Sequence, residues 1–347
     1  MPRRVKWGVI GSGGIARRRT IPEGIAAASN AVLAAVFDVD TEANRAVAAE
    51  FGGTAATSVA DLLRTDVDAV YIATPAHLHY EQMLASAHAG KHILCEKPLG
   101  MTVAEAEQMA EAARAAGVQF GAGFMMRFHS RHQAARKLIN QGRLGKLVYG
   151  RAQLSCWYPP IPGAWRQDLA LGGGGSLIDM GGHCVDLLEM FFGPVGRVSC
   201  FTRNLVQGYP GEDSAVALLE FLSGALGTVD TFFCITDRGS RNALELHGSL
   251  GSILAEGTIG QGSSGKMTAI LAQHDSGYDA GQAREGPGGI DISPEPVNMY
   301  RAEIEAFSQA VLEGRPPEVD ATAGLRSQRV LTACYESART GRAVEVL

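Results

Sequence analysis

Six residues, Val5 to Ile10, run straight into Gly11-Ser12-Gly13-Gly14-Ile15-Ala16, and no other stretch constrains the fold as tightly. An apolar run that breaks at glycines and restarts as a helix, here Ala16–Ala28, is how a parallel doubly wound sheet begins. The glycines omit the Cβ atoms that would block a pyrophosphate, whose charge then sits at the helix N-terminus. Asp38 closes the next apolar run, Val32–Phe37, about 20 residues further on, where a carboxylate accepts ribose hydroxyls. A carboxylate there repels a 2′-phosphate, so NAD is expected in preference to NADP. Arg17, Arg18 and Arg19 follow the glycines and read as a solvated basic face from which one side chain can reach a phosphate.

The alternation continues through the first 125 residues. Thr41–Phe51, Val59–Leu63, Tyr80–Ala89 and Ala104–Ala116 read as helices, Ala69–Ala73 and His92–Cys95 as strands, and Gln119–Gly121 opens another strand. Short strands that are apolar on both faces belong in a sheet covered by helices on both sides. Beyond 125 the period changes to two. Leu147–Trp157, Val198–Arg203, Ala215–Phe221, Ala225–Cys234, Ala243–His247 and Ser252–Glu256 are strand candidates separated by glycine turns. They predict a large open, mainly antiparallel sheet with the helix Asp179–Phe192 laid on it. Residues 257–290 are rich in Gly and Ser and are expected to form a hairpin with long loops. Met299–Glu313 and Gly324–Arg339 are amphipathic helices. The reading is therefore α/β: a doubly wound dinucleotide-binding domain over 1–125, and an α+β domain over 126–347. The last helices are expected to pack back on the first domain.

At 347 residues the chain is long for one core, which fits two domains. Its 46% apolar and 19% charged composition, with a formal charge of −5, offers no field for nucleic acid or an acidic membrane surface. No apolar run reaches the ~18 residues needed to span a bilayer, and the basic start before Val5 reads as the approach to a strand, not a secretion signal. The six cysteines, Cys95, Cys156, Cys184, Cys200, Cys234 and Cys334, are widely spaced and expected to be reduced, which points to the cytoplasm. Cys184 beside His183 reads as packing.

Two further stretches carry chemistry. In Cys95-Glu96-Lys97-Pro98 a lysine follows an apolar strand, and strand ends of this kind face the ligand crevice. Glu96 and Lys97 could equally form a surface ion pair. Downstream, Gly172 to Gly175 lead into Ser176-Leu177-Ile178-Asp179-Met180-Gly181-Gly182-His183, which sets a carboxylate and an imidazole on one helix face at i and i+4. Tolerating Gly181 and Gly182 between them makes sense if something approaches the backbone closely. A satisfied core histidine remains open, as does a metal site, although neither a His-Glu-x-x-His pattern nor a cysteine cluster supplies more ligands, so no metal is expected. The glycine run is no phosphate-binding Walker loop, since no Lys-Ser or Lys-Thr follows it.

Taken in order, the Gly11–Ala16 turn, Ala73-Thr74-Pro75 with His79, Cys95-Glu96-Lys97-Pro98-Leu99, Arg127, Trp165-Arg166, Gly173-Gly174-Gly175 and Asp179-x-Gly181-x-His183-x-x-Asp186 resemble the Gfo/Idh/MocA oxidoreductases over nearly the whole chain. The resemblance implies a Rossmann domain followed by a large open-sheet domain, assembled as homodimers or homotetramers through that sheet. It also implies NAD(P)-dependent oxidation or reduction of a sugar, anhydrosugar or cyclitol. It marks Lys97, Asp179 and His183 as the catalytic trio. Gly11, Ser12, Gly13, Gly14, Ile15, Asp38, Ala73, Thr74, Pro75, His79, Glu96 and Lys97 are marked as cofactor contacts. Arg127, Trp165, Arg166 and Tyr300, with Asp179 and His183, are marked for the substrate. One departure stands out: Gly123 occupies a position where relatives often carry Asn.

On this reading His183 takes the hydroxyl proton as hydride moves to the nicotinamide, Lys97 stabilises the developing alkoxide, and Asp179 holds a neighbouring hydroxyl and tunes the lysine. Asp186 is expected to be structural. Two other functions use the same parts: a glycoside hydrolase with transient NAD redox chemistry, and a non-catalytic sensor of dinucleotide or sugar. Intact Lys97, Asp179 and His183 argue against the sensor.

Overall fold

The computed structural model describes residues 3–271 and 288–346. Strands β1 (Val5–Ile10), β2 (Ala31–Phe37), β3 (Thr54–Ala55), β4 (Ala69–Ile72), β5 (His92–Cys95) and β6 (Phe120–Ala122) form one sheet in the order β3-β2-β1-β4-β5-β6. Every pairing in it is parallel. The order reverses between β1 and β4, which opens the crevice where doubly wound sheets take their ligands. Trp7, Val9, Ile10, Val70 and Ile72 are fully buried, so both faces of these strands are covered.

The helix after the glycine turn departs from a regular α-helix. Ala16–Ile25 is wound wider, and Ala26 N–H reaches Ile21 O, five residues back. Pro22 lies inside it and has no N–H to give, so the turn opens around it. The next helix, Thr41–Phe51, is capped by Asp40, whose carboxylate accepts from Glu42 N and Ala43 N.

The second sheet comprises β7 (Leu147–Ser155), β8 (Val195–Arg203), β9 (Ser214–Phe221), β10 (Leu226–Phe232), β11 (Ala243–Gly248), β12 (Gly251–Glu256), β13 (Lys266–Leu271), β14 (Ile290–Asp291) and β15 (Val344–Glu345). Its order is β14-β13-β12-β11-β7-β10-β9-β8-β15, antiparallel except where β10 meets β7. Of the hairpin expected over 257–290, β13 and β14 pair, and residues 272–287 lie outside the described residues. The inner face, with Ala152, Leu154, Val198, Ala217, Leu219 and Val229, packs on the helices Gly182–Phe192 and Ala321–Thr340. The outer face leaves Phe201, Val216, Leu218, Leu226, Leu254 and Ile270 exposed.

Helices from the end of the chain reach the first sheet. Phe307, in the helix Met299–Glu313, packs 5.4 Å from Trp7, and the Trp7 indole donates to Ser308 Oγ at 3.1 Å. Asp320, which caps Ala321–Thr340, bridges to Gly121 in the middle of β6. No helix among the described residues is long and apolar enough to cross a membrane.

Candidate active site

At the end of β1 the chain needs room. Gly11 has φ +84°, and a Cβ there would stand 2.8 Å from Thr74 N and 2.9 Å from Ala73 C. Its absence lets the turn after β1 lie against the turn after β4. Gly13 N donates to Asp38 Oδ2 at 2.8 Å, and Asp40 N donates to Oδ1 at 3.0 Å. Asp38 thus fastens the glycine turn to the end of β2. Ser12 turns inward, with its hydroxyl on Asn44.

A cleft of about 530 Å³ opens from this turn across to the second domain. Gly14, Ile15, Arg18, Ala73 and Thr74 line it on the nucleotide side, and Glu96 and Lys97 come from the end of β5. Asp179, Met180 and His183 come from the Leu177–Gly181 turn and the helix that follows it. Tyr158, Ile161, Trp165, Arg166 and Tyr300 complete the mouth, and Met125, Met126, Leu154, Cys156 and Phe233 form an apolar wall. The segment carrying Asp179 is not the regular helix expected: Leu177–Gly181 is wound wide before the α-helix Gly182–Phe192 begins. Asp179 and His183 nevertheless share the cleft.

Lys97 Nζ donates to Asp179 Oδ1 at 2.8 Å and to the Asp179 carbonyl at 2.5 Å. Arg166 Nε donates to the same Oδ1 at 3.1 Å while its guanidinium lies 4.2 Å over the Trp165 ring. Burial works against the Asp179 carboxylate, but Lys97 and Arg166 outweigh it and hold the carboxyl well below the usual carboxylate range. Burial, and next the Lys97 charge, push the His183 imidazole down to about 3, against a smaller pull from Asp179. The ring is therefore neutral. Glu96 is not a surface ion pair: it is held by the Tyr71 hydroxyl, which in turn receives Thr20 Oγ1 at 3.1 Å. Burial raises the Glu96 carboxyl. A Cβ at Gly123 would sit 3.2 Å from Glu96 Cδ, a contact that a shift of a few tenths of an ångström relieves.

Seven residues of the set drawn from the sequence, Gly11, Ser12, Gly13, Asp38, Pro75, His79 and Arg127, do not line the cleft. Arg127 is committed to Asp186, 59 residues along the chain, with contacts of 2.6 to 3.0 Å, and does not line the cleft. His79 is buried behind the cleft, between Pro98 O and Thr74 O.

Glu212 gave no signal in the sequence. Its carboxylate accepts from Gly175 N and Leu177 N, both at 2.8 Å, and from the Tyr335 hydroxyl at 3.0 Å. The glycine run before Asp179 thus receives a carboxylate from its own chain. A Cβ on Gly175 would stand 2.0 Å from Glu212 O, which is why only glycine fits.

A dinucleotide fits what is present. The glycine turn leaves space beside Gly14, which has φ +48° and nothing within 4 Å of a built Cβ. His183 Nδ1 and Tyr300 Oη are buried without a hydrogen-bond partner among the described residues, two polar atoms left for a bound molecule. No group of three His, Cys, Asp or Glu side chains among the described residues is placed to hold a metal ion.

Comparison with known proteins agrees with this architecture. Residues 5–124 match the model for the oxidoreductase family with an NAD-binding Rossmann fold, and 132–254 match the GFO/IDH/MocA C-terminal domain. The chain is 32% identical to 1,5-anhydro-D-fructose reductase of Ensifer adhaerens, over 98% of each. It is also 32% identical to D-xylose 1-dehydrogenase (NADP(+)) 2 of Haloferax volcanii, over 98% of this chain and 99% of that protein. Among solved structures, the aldose-aldose oxidoreductase of Caulobacter crescentus complexed with glycerol superposes with a TM-score of 0.87 at 28% identity, covering 99% of this chain and 100% of that one. The chain belongs to the Gfo/Idh/MocA family of oxidoreductases.

Proposed function

We propose that this chain moves hydride between NAD and a CH–OH carbon of a sugar, anhydrosugar or cyclitol, with Lys97, Asp179 and His183 as its chemical groups. The observation that carries this is their convergence, with Arg166, in the cleft that the nucleotide turn also lines. The bound nicotinamide supplies the hydride acceptor or donor. The chain's own residues do the rest. His183, neutral in the free enzyme, takes the proton of the reacting hydroxyl in oxidation; in reduction the protonated ring returns it to the carbonyl oxygen. Lys97 stabilises charge on the reacting oxygen. Asp179, kept ionised, fixes the lysine and accepts from a neighbouring hydroxyl.

Asp38, which fastens the end of β2 to the glycine turn, supports NAD over NADP, because a carboxylate at that position of the fold would repel a 2′-phosphate. The wall of Met125, Met126, Leu154, Cys156, Met180 and Phe233 supplies few partners for hydroxyls. It favours a compact substrate with few free hydroxyls, as in an anhydrosugar. The E. adhaerens relative is named for reducing one. We take 1–125 as the cofactor domain and 126–347 as the substrate and assembly domain. The exposed row of Phe201, Val216 and Leu218 on the outer sheet face supports a homodimer or homotetramer built there. Six unpaired cysteines fit the cytoplasm.

The test is a panel of sugars, anhydrosugars and inositols with each cofactor, following reduced nicotinamide and released sugar together. Net cofactor turnover with NAD on a member of the panel supports the reading. Glycoside cleavage without net cofactor reduction replaces it with the hydrolase, and binding without turnover replaces it with the sensor.

A further inference from the structure

His79 lies at the start of the helix His79–His88 and is 1% exposed. Its Nδ1 stands 2.8 Å from Pro98 O and its Nε2 2.8 Å from Thr74 O. These two carbonyls belong to different parts of the site. Thr74 is in the turn after β4, packed against Gly11 and lining the nucleotide side of the cleft. Pro98 follows Lys97 directly, so its carbonyl is one residue from the lysine that meets Asp179. His77 and Lys97 are the charged or titratable neighbours that act on the ring.

No other side chain among the described residues joins Thr74 and Pro98 by hydrogen bonds. The first lines the nucleotide side of the cleft, and the second directly follows the lysine whose ammonium meets Asp179. A displacement of about 1 Å between such groups is enough to cost a hundredfold in rate. Both carbonyls are served by donors when the ring carries both protons; with one proton it donates to one carbonyl and turns a lone pair toward the other.

We propose that His79 is a positioning residue: it sets the register between the cofactor turn and the lysine turn and touches neither cofactor nor substrate. This rests on the reading of Lys97 given above, and it replaces the cofactor contact that resemblance assigns to His79. Each ring nitrogen then has a separable consequence. The tie to Thr74 governs cofactor binding. The tie to Pro98 governs turnover through Lys97.

Two substitutions each keep one tie. The amide of His79→Asn overlays Nδ1 and reaches Pro98 O, whereas that of His79→Gln overlays Nε2 and reaches Thr74 O. The experiment measures the Kd of NADH by titrating the free enzyme, kcat with the best substrate, and Tm for both variants beside the parent and Lys97→Met. In His79→Asn the Kd should rise about tenfold, with a smaller loss in kcat; in His79→Gln kcat should fall about tenfold, with a smaller rise in Kd. Any other pattern overturns the proposal, including equal losses in both quantities that track Tm. If one variant fails to fold, the other still reads its own half of the split. Undiminished kcat in Lys97→Met would refute the lysine reading alone, since the NADH arm does not pass through it.

Discussion

Nζ of Lys97, at the end of β5, stands 2.8 Å from Oδ1 of Asp179, 82 residues further along the chain. Arg166 shares that oxygen from the other side. Asp179→Asn removes the charge that separates two cations and leaves both partly desolvated. Turnover should fall by about 100-fold or more, read as kcat at saturating substrate and cofactor. Turnover within a few-fold of the parent would take Asp179 out of the chemistry.

The His183 ring is held down to about 3 by burial and by Lys97. The free enzyme should therefore show no acid limb near the ordinary histidine value of about 6.5 in kcat/KM for oxidation. A limb there that disappears in His183→Ala would show the ring to be an ordinary titrating histidine.

The same depression makes stability depend on pH. His132, in the helix Ser130–Asn140, is likewise pushed down to about 3, by burial and by His129. Between about 6.5, where an unfolded histidine titrates, and about 3, where His183 and His132 titrate in the fold, the unfolded chain binds protons the native chain refuses. Stability is therefore lost as pH falls through that window, by roughly 1.4 kcal/mol per pH unit for each such histidine. Thermal melts across the window should show a steeper decline in the parent than in His132→Asn. Equal slopes would contradict the assignment for His132.

Asp38→Ser should raise the preference for NADP over NAD by about tenfold or more. Because Asp38 Oδ2 also holds Gly13 N, NAD binding itself should weaken. An unchanged ratio of kcat/KM for the two cofactors would argue against Asp38 facing the ribose.

Glu212→Gln exchanges a carboxylate that accepts from two backbone N–H groups for an amide with one acceptor oxygen. The loss should be about 1–3 kcal/mol, read by chemical denaturation, with NADH binding retained. Unchanged stability would mean that the glycine run is held by packing alone.

Much of this was legible because the coding is local. A strand that ends in Gly11-x-Gly13 must turn there, Asp38 must follow at the end of the next strand, and Asp179 and His183 lie one turn apart whether that turn is regular or wide. The widening of Ala16–Ile25 had its own local mark in Pro22. What could not be read depends on partners far away in the chain. Glu212 looks like any loop acid until the fold brings it to Gly175. Arg127 looks like a substrate residue until Asp186 claims it. His79 matches a cofactor motif, yet the backbone carbonyls it meets are set by two separate strand ends. Gly123 reads as a missing side chain, and only the fold shows that Glu96 lies against it.

The central claim is that side chains from β5 and from the Asp179 helix act together on a substrate beside the nicotinamide. Its most direct measurement is single-turnover reduction of bound NAD in Lys97→Met and His183→Ala, with the Kd for NAD determined in parallel. Each should turn over more than about 100-fold more slowly than the parent while binding NAD with similar affinity. Near-parental rates in both would contradict the account.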